Sequence, residues 1–264
     1  MVTSLLASRI APRPGFPATR LVRAAAHVHS AWSDDGSWPL SRIAQAFGRR
    51  GCSVVLMSEH SRGFSGAKWT EYIEACSAAS NRRITLVPGI EYGDEEDVVH
   101  IPVWGRMPFF GQAPPIGDLL AQVAEGGGTA VWAHPWRRDA WRRADPSWYK
   151  QLRAVEVWNR KYDGIAPSSP CVELSRRYEL PAWVALDFHT RRQLFPLSLN
   201  LQLNGHANPI TEGVTPDHVY AALDAGQFSS RALGLPLHLL TDGAPAQVLQ
   251  VVEKARRTVA RLLR

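Results

Sequence analysis

Ala24-Ala25-Ala26-His27-Val28-His29-Ser30-Ala31-Trp32-Ser33-Asp34-Asp35-Gly36 carries an apolar run into two histidines one residue apart, then into a serine–aspartate turn. Residues i and i+2 of a strand point to one side. His27 and His29, at the end of a strand expected over residues 21–29, should therefore grip one metal ion from one face. The arrangement returns along the chain. Glu59-His60 follows the buried run 52–57, and Glu91 follows 83–87. His134-Pro135 follows Val131-Trp132-Ala133, and Asp187-Phe188-His189 follows Val184-Ala185-Leu186. His100 stands alone in the stretch 98–104. Ligands dispersed over several strand ends converge only if those strands share one sheet or barrel. Imidazole with carboxylate suits zinc, manganese or iron. His206, His218 and His238 lie outside the pattern and read as ordinary core or surface histidines.

Between these runs the spacing predicts helices over 39–50, 69–80, 116–125, 170–177 and 216–225. Ser37 is the expected cap of the first, with Pro39 near its first position, and Gly126-Gly127-Gly128 closes the third. Further strands are expected over 129–133, 154–158 and 182–186, and 198–204 alternates strictly. Strand and helix alternate with short links, which predicts an α/β fold with a mostly parallel sheet. Such folds gather their sites at the C-terminal ends of the strands, where the clusters lie.

The 264 residues suffice for one large domain, expected over 21–264, behind an irregular arm at 1–20. Net charge is +6 and the pI about 9.5, which favours an anionic partner. The basic residues are scattered, and only 254–264 is concentrated. That segment is expected to form a terminal amphipathic helix docked on the body, with Val251, Val252, Ala255, Val259, Leu262 and Leu263 as its apolar side. Cys52, Cys76 and Cys171 are too few for a disulfide framework and fit a reducing compartment. No apolar run reaches the ~18 residues of a membrane helix, and no signal-peptide core precedes residue 20, so a cytoplasmic location is expected.

These residues resemble the PHP (polymerase and histidinol phosphatase) superfamily of metal-dependent phosphoesterases. The resemblance runs through His27-Val-His29-Ser30, Ser33-Asp34, Ser58-Glu59-His60, Pro88-Gly-Ile-Glu91, His100-Ile101, Ala133-His134-Pro135, Ala154-Val-Glu156-Val and Leu186-Asp187-Phe-His189. The helix and Gly-rich turn around Ala221-Ala-Leu-Asp-Ala-Gly226 extend it, so that it covers about residues 22–230. Glu59 stands where the family usually has aspartate, and Ala25 where many members have aspartate before the first histidine.

The resemblance implies a distorted (β/α)7 TIM-like barrel holding two or three divalent metals. It assigns His27, His29, Glu91 and Asp187 to the first. Glu91 as a bridge, with His100 and His134, would hold the second, and Asp34, His60 and His189 the third. Glu59 is expected to orient His60 or a metal-bound water.

The expected reaction is hydrolysis of a small phosphorylated metabolite or nucleotide by a metal-bound hydroxide. His60, His189 or metal-bound water would protonate the leaving group, and Arg62, Arg137 and Arg191 would bind phosphate. Nucleic acid is a less favoured partner, and no membrane is expected. The rival reading is a metal-dependent hydrolase of a carboxylic ester or carbamate on the same scaffold. A non-catalytic module is the third class, against which the full ligand set argues.

Overall fold

The computed structural model describes residues 20–204 and 213–262, so residues 1–19 of the expected N-terminal arm, His206 and Leu263 lie outside the described residues. The chain begins with β1 (Arg20–Val28) and α1 (Leu40–Gly48), followed by β2 (Val54–Met57), β3 (Glu59–His60), α2 (Gly66–Ala79), β4 (Thr85–Val87), β5 (Ile90–Gly93) and β6 (His100–Trp104). Then come α3 (Ile116–Glu125), β7 (Thr129–Trp132), β8 (Ala154–Asn159), α4 (Arg160–Asp163), α5 (Ser169–Arg177) and β9 (Ala182–Ala185). The described chain ends with β10 (Leu197–Leu203), α6 (Pro216–Asp224), β11 (Phe228–Ala232), β12 (Leu235–Pro236), α7 (His238–Thr241) and α8 (Gly243–Leu262).

The strands form two six-stranded sheets, ordered β12-β11-β10-β1-β2-β4 and β3-β5-β6-β7-β8-β9. The pairs β1–β2, β2–β4, β3–β5, β7–β8 and β8–β9 are parallel. The expected parallel pattern is broken at β6, antiparallel to both its neighbours, and at β10 to β12, which extend β1 as antiparallel strands. Two chain segments pass from the first sheet into the second, β2 into β3 and β4 into β5, and the chain returns to the first between β3 and β4 and between β9 and β10. At the second passage a Cβ on Gly89 would stand 2.4 Å from the Trp104 ring and 2.5 Å from the Met57 carbonyl, so glycine alone fits there. Beyond β9 the chain bonds to β1: Leu186 N donates to Ala26 O (3.0 Å), Phe188 N to His27 O (3.0 Å) and His29 N to Phe188 O (2.8 Å).

The core between sheets and helices is close-packed and rich in tryptophan. Trp104, Trp132, Trp158 and Trp183 are all fully buried, and Trp104 Nε1 donates to Met57 O at 2.7 Å. Cys52, Cys76 and Cys171 are buried and unpaired. Helix α1 starts at Pro39 without a side-chain cap; Ser37 Oγ donates instead to His189 O at 2.7 Å, tying the helix entry to the far strand end. Among the described residues no helix is long and apolar enough to cross a membrane.

The docking of α8 reverses the expectation. Glu253 is its buried residue, accepting from Arg256, Arg257 and Ile165 N, while Gln250 Nε2 donates to Pro167 O. Val248, Val251, Val252, Val259 and Leu262 are exposed. The apolar stripe faces outward because the polar side meets the Gly164–Pro167 loop, whose free backbone groups need partners.

Candidate metal centre

The site is built on bent backbone. His27, His134 and Asp187 have φ of 59°, 30° and 47°, in the left-handed region that non-glycine residues rarely enter. The β1–β2 register shifts between Ala26 and Val28, so a bulge carries His27. This corrects the argument from strand alternation. His29 lies past the end of β1, and the bulge, not the i/i+2 rule, brings the two rings to 5.1 Å between centroids. Asp187 and His189 likewise lie beyond β9, not on it. His100 opens β6, and because that strand runs against its neighbours, its first residue meets the C-terminal ends of the others.

Glu91 is the hub. Its Oε1 lies 3.2 Å from His27 Nε2, 2.9 Å from His100 Nδ1 and 3.3 Å from His134 Nε2. Its Oε2 lies 3.5 Å from His29 Nε2 and 3.1 Å from His60 Nδ1. Asp187 faces it, with Oδ1 3.9 Å from His27 Nε2 and 3.8 Å from His29 Nε2, and Oδ2 3.7 Å from His134 Nε2. His27 Nε2, His29 Nε2 and Glu91 Oε2 are buried and without a hydrogen-bond partner. Buried polar atoms left unmatched are costly, and three aimed at one place fit a cation. Ligand atoms gather within reach of single ions in the sets His27/His29/Glu91, His27/His134/Asp187 and His60/Glu91/His100.

Outer groups fix the rings. Glu156 Oε1 lies 2.7 Å from His27 Nδ1, while its Oε2 accepts from His134 N (3.0 Å) and Asn159 Nδ2 (2.7 Å). Asp97 Oδ1 lies 3.0 Å from His100 Nε2. Such contacts select the tautomer that offers the other nitrogen to a metal. Glu59 does not touch the His60 ring. Its carboxylate accepts from Ser30 N and Oγ, Tyr72 OH and Ser33 Oγ (2.5 Å); Ser33 Oγ in turn accepts from His60 N (3.0 Å) and lies 3.3 Å from His29 Nδ1. Asn159 and Ser33 were not singled out as positioning groups from sequence. Only the Ser-x-x-Ser spacing around His29 hinted at the second.

A fourth set joins His29, His60 and His189 to Asp35, not to Asp34. Asp35 Oδ1 lies 3.3 Å from His60 Nε2 and Oδ2 2.9 Å from His189 Nε2, whereas Asp34 is exposed at the cavity rim. The turn at Gly36, where a Cβ would strike the Ser30 carbonyl, aims the second aspartate inward. Of the three arginines, Arg62 and Arg137 line the cavity and Arg191 does not. Arg137 is half-buried, with NH2 donating to Asp97 Oδ2 at 3.2 Å; Arg191 is exposed on a short 3-10 turn. Lys161, on the short helix α4 directly after β8, reaches the cavity as a third cation.

Burial opposes charge throughout the centre, but the mutual attraction outweighs it for the central groups. Glu91 is held well below the usual carboxylate range by His27 and His100, and Asp187 at about 2 by His27 and Lys161. Asp35 and Glu91 raise His60 to about 10, and Glu91 and Asp97 raise His100 to about 9. Burial and the neighbouring imidazoles push His29 down.

No family model and no curated protein matches this sequence. Solved structures do share its fold. One is a two-domain protein from Bacteroides vulgatus containing a predicted PHP-like metal-dependent phosphoesterase, with TM-score 0.59 and 16% identity over 84% of this chain and 69% of that one. Another is PsfC from Pseudomonas syringae, with TM-score 0.60 and 15% identity over 91% of this chain and 99% of that one. At these identities the likeness is one of fold.

Proposed function

We propose that this chain is a metal-dependent phosphoesterase of the PHP superfamily, acting on a small phosphorylated metabolite or nucleotide. The carrying observation is the convergence of His27, His29 and Glu91 on one place with three buried polar atoms that have no hydrogen-bond partner. The three hydrogen bonds between residues 186–188 and β1 with its exit, together with the β2–β3 and β4–β5 passages, support reading the two sheets as one closed seven-stranded barrel.

The donor set fits divalent zinc, manganese or iron, which, when bound, supplies a hydroxide nucleophile near neutral pH and polarises the phosphoryl oxygens. Glu91 and Asp187 present both oxygens toward the cluster and can bridge two such ions. Arg137, pinned by Asp97, and Arg62, whose NH2 donates to Glu95 O at 2.7 Å, flank the mouth and take phosphate oxygens. His189, on the open side beside Asp35, is the group that passes a proton to the leaving oxygen. The cavity over the centre has about 260 Å³, enough for a phosphoryl group, and adjoins one of about 690 Å³ with which it shares His134, Arg137 and Tyr162. The leaving group occupies the larger space.

Metal content of the purified protein, followed by a panel of phosphate mono- and diesters, aryl esters and carbamates on the same sample, tests this. Phosphate release by the metal-loaded chain, abolished by His134→Ala, is expected. Full metal with only carboxylic ester or carbamate cleavage would transfer the chain to the rival reading. No metal after reconstitution would overturn the metal assignment itself.

A further inference from the structure

Lys161 stands where a third metal would need room. Asn159, fully buried at the end of β8, caps α4: its Oδ1 accepts from Lys161 N (3.0 Å) and Tyr162 N (3.3 Å), and its Nδ2 donates to Glu156 and Asp187. The lysine therefore leaves a rigid cap, not a free loop. Its Nζ lies 3.1 Å from His189 Nε2, 3.5 Å from Asp187 Oδ1 and 3.9 Å from Asp35 Oδ2.

The place beside His189 is already occupied by charge. Lys161 Nζ lies 3.1 Å from Nε2 and 3.4 Å from Nδ1 of the His189 ring, and Asp35 Oδ2 lies 2.9 Å from Nε2, so ammonium and carboxylate together crowd the position that a metal on Nε2 would take. A zinc ion about 2.0–2.1 Å from Nε2 would also meet the lysine's charge in a partly desolvated cavity, where like charges repel strongly. The carboxylates are unequally shared as well. The inner positions draw on Glu91 and Asp187, both fully buried, whereas the outer set of His29, His60 and His189 has only the exposed Asp35, already facing Lys161.

We propose that the ammonium of Lys161 replaces the third metal, so that the centre takes two ions and one lysine. The inference rests on the metal-dependent reading above and fixes its cation count. In this arrangement Lys161 contributes the third positive charge beside the substrate's phosphoryl oxygens, and His189 Nε2 stays free of metal for proton handling.

The test is the stoichiometry of the full chain, loaded with excess Zn2+ or Mn2+, desalted and analysed by elemental mass spectrometry, with calorimetric titration alongside. The wild type is expected to hold two ions, Lys161→Met three, and Lys161→Arg, which keeps the charge, two. Adding His189→Gln to Lys161→Met should return the count to two and locate the extra ion. Three ions in the wild type, or two in a folded Lys161→Met, would overturn the proposal. Since counting ions needs no substrate, a chain with two ions but no phosphate release would sink the phosphoesterase reading alone. A chain that takes no metal would sink both.

Discussion

Glu59 shows what a single carboxylate can set. Ser30 Oγ and Tyr72 OH donate to its Oε1, and Ser30 N to both oxygens, so in Glu59→Gln the amide oxygen is expected to stay at Oε1 and the NH2 to face Ser33. Ser33 Oγ, now receiving from the introduced amide and from His60 N, can only donate, and its remaining acceptor is His29 Nδ1. That moves the His29 ring proton to Nε2, the nitrogen aimed at Glu91. Glu59→Gln is therefore expected to keep its fold but bind metal about 10–100-fold more weakly, with the His29 tautomer change visible in 15N spectra of the metal-free protein. Unchanged affinity would break the Glu59–Ser33–His29 link. At this scale the sequence was most legible where one residue type has one use, as in His27, Glu91 and Asp187. It was least legible where a neighbour could serve equally. Asp34 and Asp35 differ only in which way the Gly36 turn aims them, and Lys161 looks like any loop cation until Asn159 is seen to cap its helix.

Among the elements, apolar periodicity marked most of the helices and buried strands, and α3 spans the residues expected. It failed where burial is not apolar. β5, Ile90–Gly93, follows a proline–glycine pair that reads as a stop. Nothing in Pro102 or Val103 announces that β6 runs backward. The face of α8 was inverted because its periodicity is real but its docking is polar. Glu253, held at about 2 because Arg256 and Arg257 outweigh its burial, contributes stability that is present above the usual carboxylate pKa of about 4.5. That contribution fades as pH falls from there through about 2. Glu253→Ala at neutral pH should cost about 1 kcal/mol, since both arginines are half-exposed. Hydrogen exchange should then accelerate several-fold in α8, with metal content unaltered. Unchanged exchange in α8 would mean that Leu249 and Gln250 hold the helix without the ion pair.

For the molecule as a whole, folding and metal uptake are coupled through protons. Without metal, His60 and His100, at about 10 and about 9, are protonated at pH 7, and that charge holds the buried carboxylates in place. A metal needs those lone pairs, so loading must expel protons. Titration at pH 7 in a weak buffer should release at least one proton per chain, and affinity should rise from pH 6 toward pH 9. A chelator should lower the melting temperature by several degrees, as expected for a ligand that binds only the folded state. Loading without proton release would contradict the protonation of these two rings.

The neighbours of β1 have a temporal meaning. The strand is made first, yet it pairs with β10 along one edge, and its last residues bond to the 186–188 segment. A ribosome must add the whole stretch from Val28 to Leu186 before either partner exists. Until then β1 offers a bare apolar edge beside β2, and a nascent chain in that state is open to mispairing. Contacts so distant in sequence close slowly. Since Asp187 and His189 arrive in the same late segment, the centre cannot be assembled before the strands around it are nearly all in place.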